Sequence, residues 1–155
     1  MDSGRVDAIF ISGTSRGEME SVATVEAVQG SGLRGDRYAA GVGTFSQIEG
    51  TGREVTLIES EAIEAARRDY GLDVQTGSTR RNVVTSGVAL NHLVGRQFTV
   101  GDVVLRGERL CDPCDHMERV SGVTGLRRAL VHRGGLRAAI VEGGTLAVGD
   151  LVRVL

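Results

Sequence analysis

Apolar runs in this chain are short, and glycine turns separate most of them. "RVDAIFIS" (5–12), "SVATVEAV" (21–28), "REVTLI" (53–58), "RNVVTSG" (81–87), "RQFTV" (96–100), "DVVLRGERL" (102–110), "LRAAIVEG" (136–143), "TLAV" (145–148) and "DLVRVL" (150–155) carry alternating or near-continuous apolar patterns of strand length. The same tripeptide separates two pairs of these runs, as Val100-Gly101-Asp102 and Val148-Gly149-Asp150. Glycine adopts positive φ at little cost, so both sites read as hairpin turns. Nine or ten strands at this spacing predict a mainly β chain closed into a barrel or sandwich, as one domain over residues 1–155.

One segment breaks the pattern. In "ESEAIEAARRDYG", Ala62, Ile63, Ala66 and Tyr70 share a helical face, with Ser60 as N-cap and Gly71 as the stop. "GLRRALVH" (125–132) is a second, weaker helical zone. The glycine-rich stretch 30–52 is too long to be a plain connection and is expected to wall a site.

Charge and composition remove several function classes. A net charge of −2 gives no broad attraction to nucleic acid or anionic lipid, and five aromatic residues (Phe10, Tyr38, Phe45, Tyr70, Phe98) offer no stacking platform for single strands. The start, "MDSGRVDAIFISG", has no basic segment followed by a long apolar run, and no stretch is long and apolar enough for a membrane span. Two close cysteines with no secretion signal fit the cytoplasm. All 18 basic residues are arginine. Without lysine, no side chain can form a Schiff base with pyridoxal phosphate. Every basic side-chain contact must instead come from a planar guanidinium suited to phosphate or carboxylate.

The chemistry concentrates in "ERLCDPCDH" (108–116), which holds both cysteines, the single proline and His116. Four readings stand open: a redox pair, half of a metal site, two inert thiols, or one reactive thiolate. A redox pair asks for a helix start after a strand in an alternating βα pattern, and the surrounding chain reads as all-β. A closed zinc site asks for a second paired motif, and only His92, His116 and His132 are at hand. For a reactive thiolate, Pro113 pre-sets the turn, while Asp112 and Asp115 repel negative charge beside Cys114. A working thiolate there needs a cation or metal nearby, which points to the arginines. Arg37 lies in the glycine-rich loop. Arg80 and Asn82, two apart on an expected strand, should project to one side and offer a fork of donors plus an amide. "SGTSRGE" (12–18), with Ser15 and Arg16, has the makings of a small anion nest. The histidines read as surface, capping or loop residues, with His116 also placed to shuttle a proton.

Taken in order, "GLRGDRYA" (32–39), "REVTLIESEAIEA" (53–65), "RRNVVTSGVALNHLVGRQFTVGDVVLRG" (80–107) and "LCDPC" (110–114) resemble the MOSC domain. That domain is found at the C-terminus of molybdenum cofactor sulfurases, in stand-alone bacterial proteins and in the mitochondrial amidoxime-reducing component. The resemblance implies a MOSC-type β-barrel with one or two short helices. It also implies a late cysteine that carries sulfur as a persulfide or ligates molybdenum, a position taken here by Cys114, with Cys111 the bystander. Arg37, Arg80 and Asn82 would then contact the pterin of a molybdenum cofactor and its phosphate, with Asp112 and Ser15 lining the same cavity. The acidic start of the main helix, Glu59 and Glu61, offers no phosphate site.

Neither the extra N-terminal barrel of the eukaryotic reductases nor the aminotransferase-like desulfurase domain is represented in these 155 residues. The expectation is therefore sulfur transfer or cofactor binding rather than self-sufficient N–O reduction. The partner would be a separate cysteine desulfurase or an electron-transfer protein. Two rivals remain: a thiolate enzyme that cleaves a C–S bond in a small sulfur metabolite, and a binding module for a small anionic ligand.

Overall fold

The computed structural model describes residues 4–14, 16–39 and 53–155. Its strands are β1 (Gly4–Ile11), β2 (Glu20–Val22), β3 (Thr24–Val28), β4 (Gly32–Leu33), β5 (Val55–Glu59), β6 (Val83–Ser86), β7 (Gln97–Val100), β8 (Val103–Leu110), β9 (Leu136–Glu142), β10 (Gly144–Ala147) and β11 (Leu151–Val154). Three helices accompany them: α1 (Ser60–Tyr70), α2 (Asp115–Ser121) and α3 (Leu126–Ala129).

Seven strands close into a barrel in the order β11-β7-β8-β9-β5-β6-β1, with β1 returning to β11 through Gly4 opposite Val152 and Arg5 opposite Leu151. β2 extends the sheet beyond β1, while β10, β3 and β4 form a separate small sheet. Within the ring only β5 and β6 run parallel, and α1 lies between them in sequence. A parallel pair needs such a crossover, because no tight turn can reverse the chain twice.

Two apolar clusters follow from this wrapping. Leu57, Val83, Phe98, Leu105, Leu136 and Ile140 fill the barrel, while Ile58 and Val84 face outward onto Ala62, Ile63, Met117, Leu126 and Leu130 of the helical layer. β5 and β6 are therefore buried on both faces, which explains their near-continuous apolar sequence. Thr56, on the polar side of the expected alternation, is buried as well.

Several expectations need correction. "SVATVEAV" is two strands, broken at Ala23, because β2 pairs with β1 while β3 pairs with β10 and β4. Glu59 rather than Ser60 is the N-cap of α1, and Tyr70 at its end is exposed; Gly71 does close the helix at φ 62°. The two Val-Gly-Asp turns differ. The first is a two-residue hairpin loop with Val100 opposite Val103. The second joins β10 to β11, which do not pair: Asp150 accepts from the Ala147 N–H through Oδ2 (2.9 Å), and the Gly149 N–H donates to Val6 (2.8 Å). The same tripeptide is a hairpin where the sheet continues and a corner where the chain changes sheets. One helix beyond the two expected, α2, falls directly after the cysteine motif, in a stretch whose sequence reads as loop.

Candidate functional site

β8 ends at Leu110 and delivers the cysteines to the rim between the barrel and the helical layer. The Cys111 N–H donates to the Gly135 carbonyl (2.8 Å), so the loop stays tied to the chain entering β9. A side chain on Gly134 would put its Cβ 2.5 Å from the Cys111 carbonyl and 2.7 Å from the Pro113 ring, which is why two glycines stand here. Cys111 is 1% exposed. Cys114 is half-buried, packs against the helical cluster and is the N-cap of α2. Both are free thiols.

Arg81, which the sequence does not single out, holds this loop in place. Its buried guanidinium donates to the carbonyls of Gly134 (Nε, 2.9 Å), Thr79 (Nη1, 3.3 Å), Cys111 (Nη2, 3.1 Å) and Asp112 (Nη2, 3.3 Å). The rigid planar fork suits such multiple donation. Adjacent arginines are indistinguishable in sequence, and only the fold turns one inward.

Arg80 does not lie on a strand. It terminates a 3-10 turn at Thr76–Thr79 with φ 62°, a left-handed conformation uncommon outside glycine, and β6 begins only at Val83. That twist turns Arg80 toward the 12–17 turn, where Nη1 donates to the Gly17 carbonyl (2.8 Å). Arg37 approaches from the other side: Nη1 meets Asp36 Oδ1 at 3.2 Å, Nη2 reaches the Arg80 carbonyl at 3.5 Å, and the guanidinium sits 4.8 Å from the Tyr38 ring centre. Asp36 is fully buried and accepts the Ser12 N–H (3.0 Å), which fixes Arg37 in turn. Burial, and then Arg37, hold the Arg80 guanidinium below its usual pKa.

Asn82 has a different place from the one expected. It is 2% exposed, and its Oδ1 accepts the Thr56 N–H and hydroxyl (3.1 Å each), while Nδ2 donates to the Phe10 carbonyl (3.0 Å). It lies behind the cleft wall and ties β5 to β1, and Thr56 is the residue that reaches the cleft. Asp112 is exposed on the cleft edge, and Asp115 is drawn to Arg127 at 3.1 Å. Ser15 lies outside the described residues, as does the 40–52 part of the glycine-rich stretch. Glu59 and Glu61 accept the backbone N–H groups of Leu90 (3.1 Å) and Gly87 (2.9 Å), which are structural tasks.

The cleft, about 40 Å³, has Arg37, Arg80, Cys111, Cys114, His116 and Arg137 around it. Arg80 also borders a groove of about 510 Å³ that passes Arg16, Met19 and Gln75, and His116 also borders a recess of about 220 Å³ with Arg16 and Arg119. The guanidiniums set the local field. His116 is pushed below its usual pKa by burial first, then by Arg80, Arg16, Arg119 and Arg37. A half-buried thiol beside a neutral imidazole, in a groove with fixed positive charge, can bind an anion and present a sulfur nucleophile to it. Among the described residues no group of three His, Cys, Asp or Glu side chains converges on one metal position, and no helix is long and apolar enough to cross a membrane.

A seven-stranded barrel with a half-buried thiol in an arginine-lined cleft at its rim defines a class of small β-barrel proteins. Residues 44–153, well over half of the chain, match the MOSC domain, and the chain belongs to that family, which is generally linked to molybdenum cofactor binding and sulfur-related functions. The match begins after Arg37, so the family pattern covers Arg80, Asn82 and the cysteines but not the Asp36–Arg37 pair.

The structure resembles the YuaD protein from Bacillus subtilis at 18% identity and TM-score 0.81, over 97% of this chain and 94% of that one. It also resembles YiiM from Geobacillus stearothermophilus (14%, TM-score 0.74, 98% of this chain and 75% of that one) and YiiM from Escherichia coli (15%, TM-score 0.68, 97% and 69%). At these identities the likeness is one of fold. No protein with a curated description matches the chain.

Proposed function

We propose that this protein handles sulfur, or a molybdenum cofactor, through the thiolate of Cys114. The observation that carries the reading is the contrast between the two cysteines: Cys111 is sealed in the wall, whereas Cys114 is half-buried on the cleft with Arg37, Arg80 and His116. In the first form Cys114 carries a persulfide. Its thiolate attacks the outer sulfur of a donor R–S–SH, a new S–S bond forms at Cys114, and R–S⁻ departs with the electron pair of the broken bond. The proton lost by the Cys114 thiol goes to His116, which burial first, and then the nearby arginines, keep neutral. A separate cysteine desulfurase in the cytoplasm is the partner this form requires, because this chain has no lysine for pyridoxal chemistry.

The groove favours a second form, in which the chain holds the cofactor itself. The cleft beside the thiol is too small for a pterin, but the 510 Å³ groove that shares Arg80 has the volume of a small-molecule site. The donor set fits: a soft thiolate suits molybdenum, and Arg37 and Arg80 offer guanidiniums to an anionic ligand. Cys114 would be the metal ligand and Arg80 the pterin contact, Arg37 and Asp112 would border the site, and Asn82 would act as a positioning residue through Thr56. The bound cofactor would supply oxygen-atom or N–O redox chemistry, with electrons from a partner protein.

The test is metal analysis and intact mass of protein purified anaerobically from a host that makes the molybdenum cofactor, wild type against Cys114→Ser. A sulfur-mass adduct confined to the wild type supports the first form. Molybdenum near stoichiometry, lost in the variant, supports the second. Neither signal in the wild type overturns both.

A further inference from the structure

On the outer side of the barrel wall, beside the cleft, three arginines converge with no ion-pair partner among the described residues. Arg137 in β9 alternates with the core residues Leu136 and Ala138, so its side chain points away from the barrel interior. Its cross-strand neighbours are Thr56 on β5 and Arg109 on β8. Like charges directly opposite each other on adjacent strands destabilise a sheet. Arg53, just before β5, is the third member, and its Nε is buried with no hydrogen-bond partner among the described residues. None of the three makes a salt bridge or side-chain hydrogen bond with another described residue, whereas Arg106 on the same strand is paired with Glu108 at 2.7 Å. A buried donor without a partner is uncommon and asks for a ligand or an ion.

We propose that Arg53, Arg109 and Arg137 form an oxyanion subsite for a phosphate-class group, distinct from the Arg37–Arg80 side of the cleft. Three planar forks supply more donors than one carboxylate can accept, and a tetrahedral dianion has enough oxygens to engage all of them. Burial, and then Arg109 and Arg137, also hold the Arg53 guanidinium below its usual pKa, as expected of a cation crowded by cations. The subsite stands independently of the chemistry at Cys114. Arg137 borders the cleft, so an extended ligand can reach both.

The experiment titrates the protein with inorganic phosphate against chloride at matched ionic strength, following the thermal midpoint and the binding heat. The subsite predicts a phosphate-specific rise in the midpoint of the wild type. In Arg109→Gln, binding weakens roughly ten-fold or more, the loss of one charge-assisted contact. In chloride alone, that variant is as stable as the wild type or more so, because a repulsion has been removed. Arg53→Gln repeats the loss of binding from the other side, and Arg106→Gln keeps the wild-type response. A phosphate effect shared equally by all variants, no effect in the wild type, or an Arg109→Gln protein weakened in chloride would each overturn the proposal. Methyl phosphate distinguishes the sources: tighter binding than inorganic phosphate makes the group the tail of a larger ligand, and equal binding makes it a free oxyanion. The metal and sulfur-mass comparison reads Cys114 alone, so the two readings fail separately.

Discussion

The guanidinium of Arg81 donates to the backbone carbonyl of Cys111 at 3.1 Å, across thirty positions of sequence. Through this contact, and those to Asp112 and Gly134, the turn leading into β6, which carries Arg80 and Arg81, also fixes the loop that carries Cys114. Replacing Arg81 by Gln leaves buried carbonyls without donors. Unfolding in urea is expected to show a loss of about 3 kcal/mol, with Arg81→Lys also destabilised because an ammonium cannot reproduce the fork. A change within a few tenths of a kcal/mol in both variants would show that water replaces the side chain.

Exposure separates the two thiols. Iodoacetamide is expected to alkylate Cys114 in the folded protein and to reach Cys111, 1% exposed, only after denaturant is added. Peptide mapping of Cys114→Ser and Cys111→Ser checks the assignment. Native labelling that survives in Cys114→Ser would contradict the structure.

Arg80 sits at φ 62°, so its side chain and its backbone make separate contributions. Arg80→Ala removes the guanidinium and keeps the strain, whereas Arg80→Gly removes both. Glycine at this position is expected to be more stable than alanine by roughly 1 kcal/mol, the reverse of the usual order. Equilibrium unfolding of the two variants side by side decides it.

His116 gives the fold an acid-sensitive group. Its folded pKa lies below the ordinary value of 6.5, so the unfolded chain binds the proton more readily than the folded one. Its stabilising contribution is whole above about pH 6.5 and is lost as pH falls from there through the lower, folded pKa. His116→Gln should flatten the decline of thermal midpoint with acid in that window. An unchanged slope would remove His116 from the account.

Asn82 tests positioning against contact. Its amide is occupied by Thr56 and Phe10, so Asn82→Ala is expected to cost about 2 kcal/mol of stability. Anion affinity in the folded variant should fall far less than in Arg80→Gln. Equal losses of affinity would make Asn82 a direct ligand contact.

The local pattern carried the fold class and much of its punctuation. Short apolar runs bounded by glycine gave a closed β architecture, Ala62, Ile63 and Ala66 gave α1 with Gly71 as its end, and the motif order gave the family. These are properties of neighbouring residues, where periodicity and turn chemistry act directly. What the sequence by itself could not decide depends on contacts between distant segments. Arg80 and Arg81 are chemically the same, and only the left-handed turn at Arg80 sends one to the cleft and the other into the wall. Val-Gly-Asp is a hairpin or a corner according to which strands wait to pair with its flanks. The α2 helix was hidden because a seven-residue segment gains little from local propensity and is held by packing Met117 into the helical layer. Arg53, Arg109 and Arg137 are far apart in the chain and meet only because β5, β9 and β8 are neighbours in the barrel, where strand pairing brings like charges together.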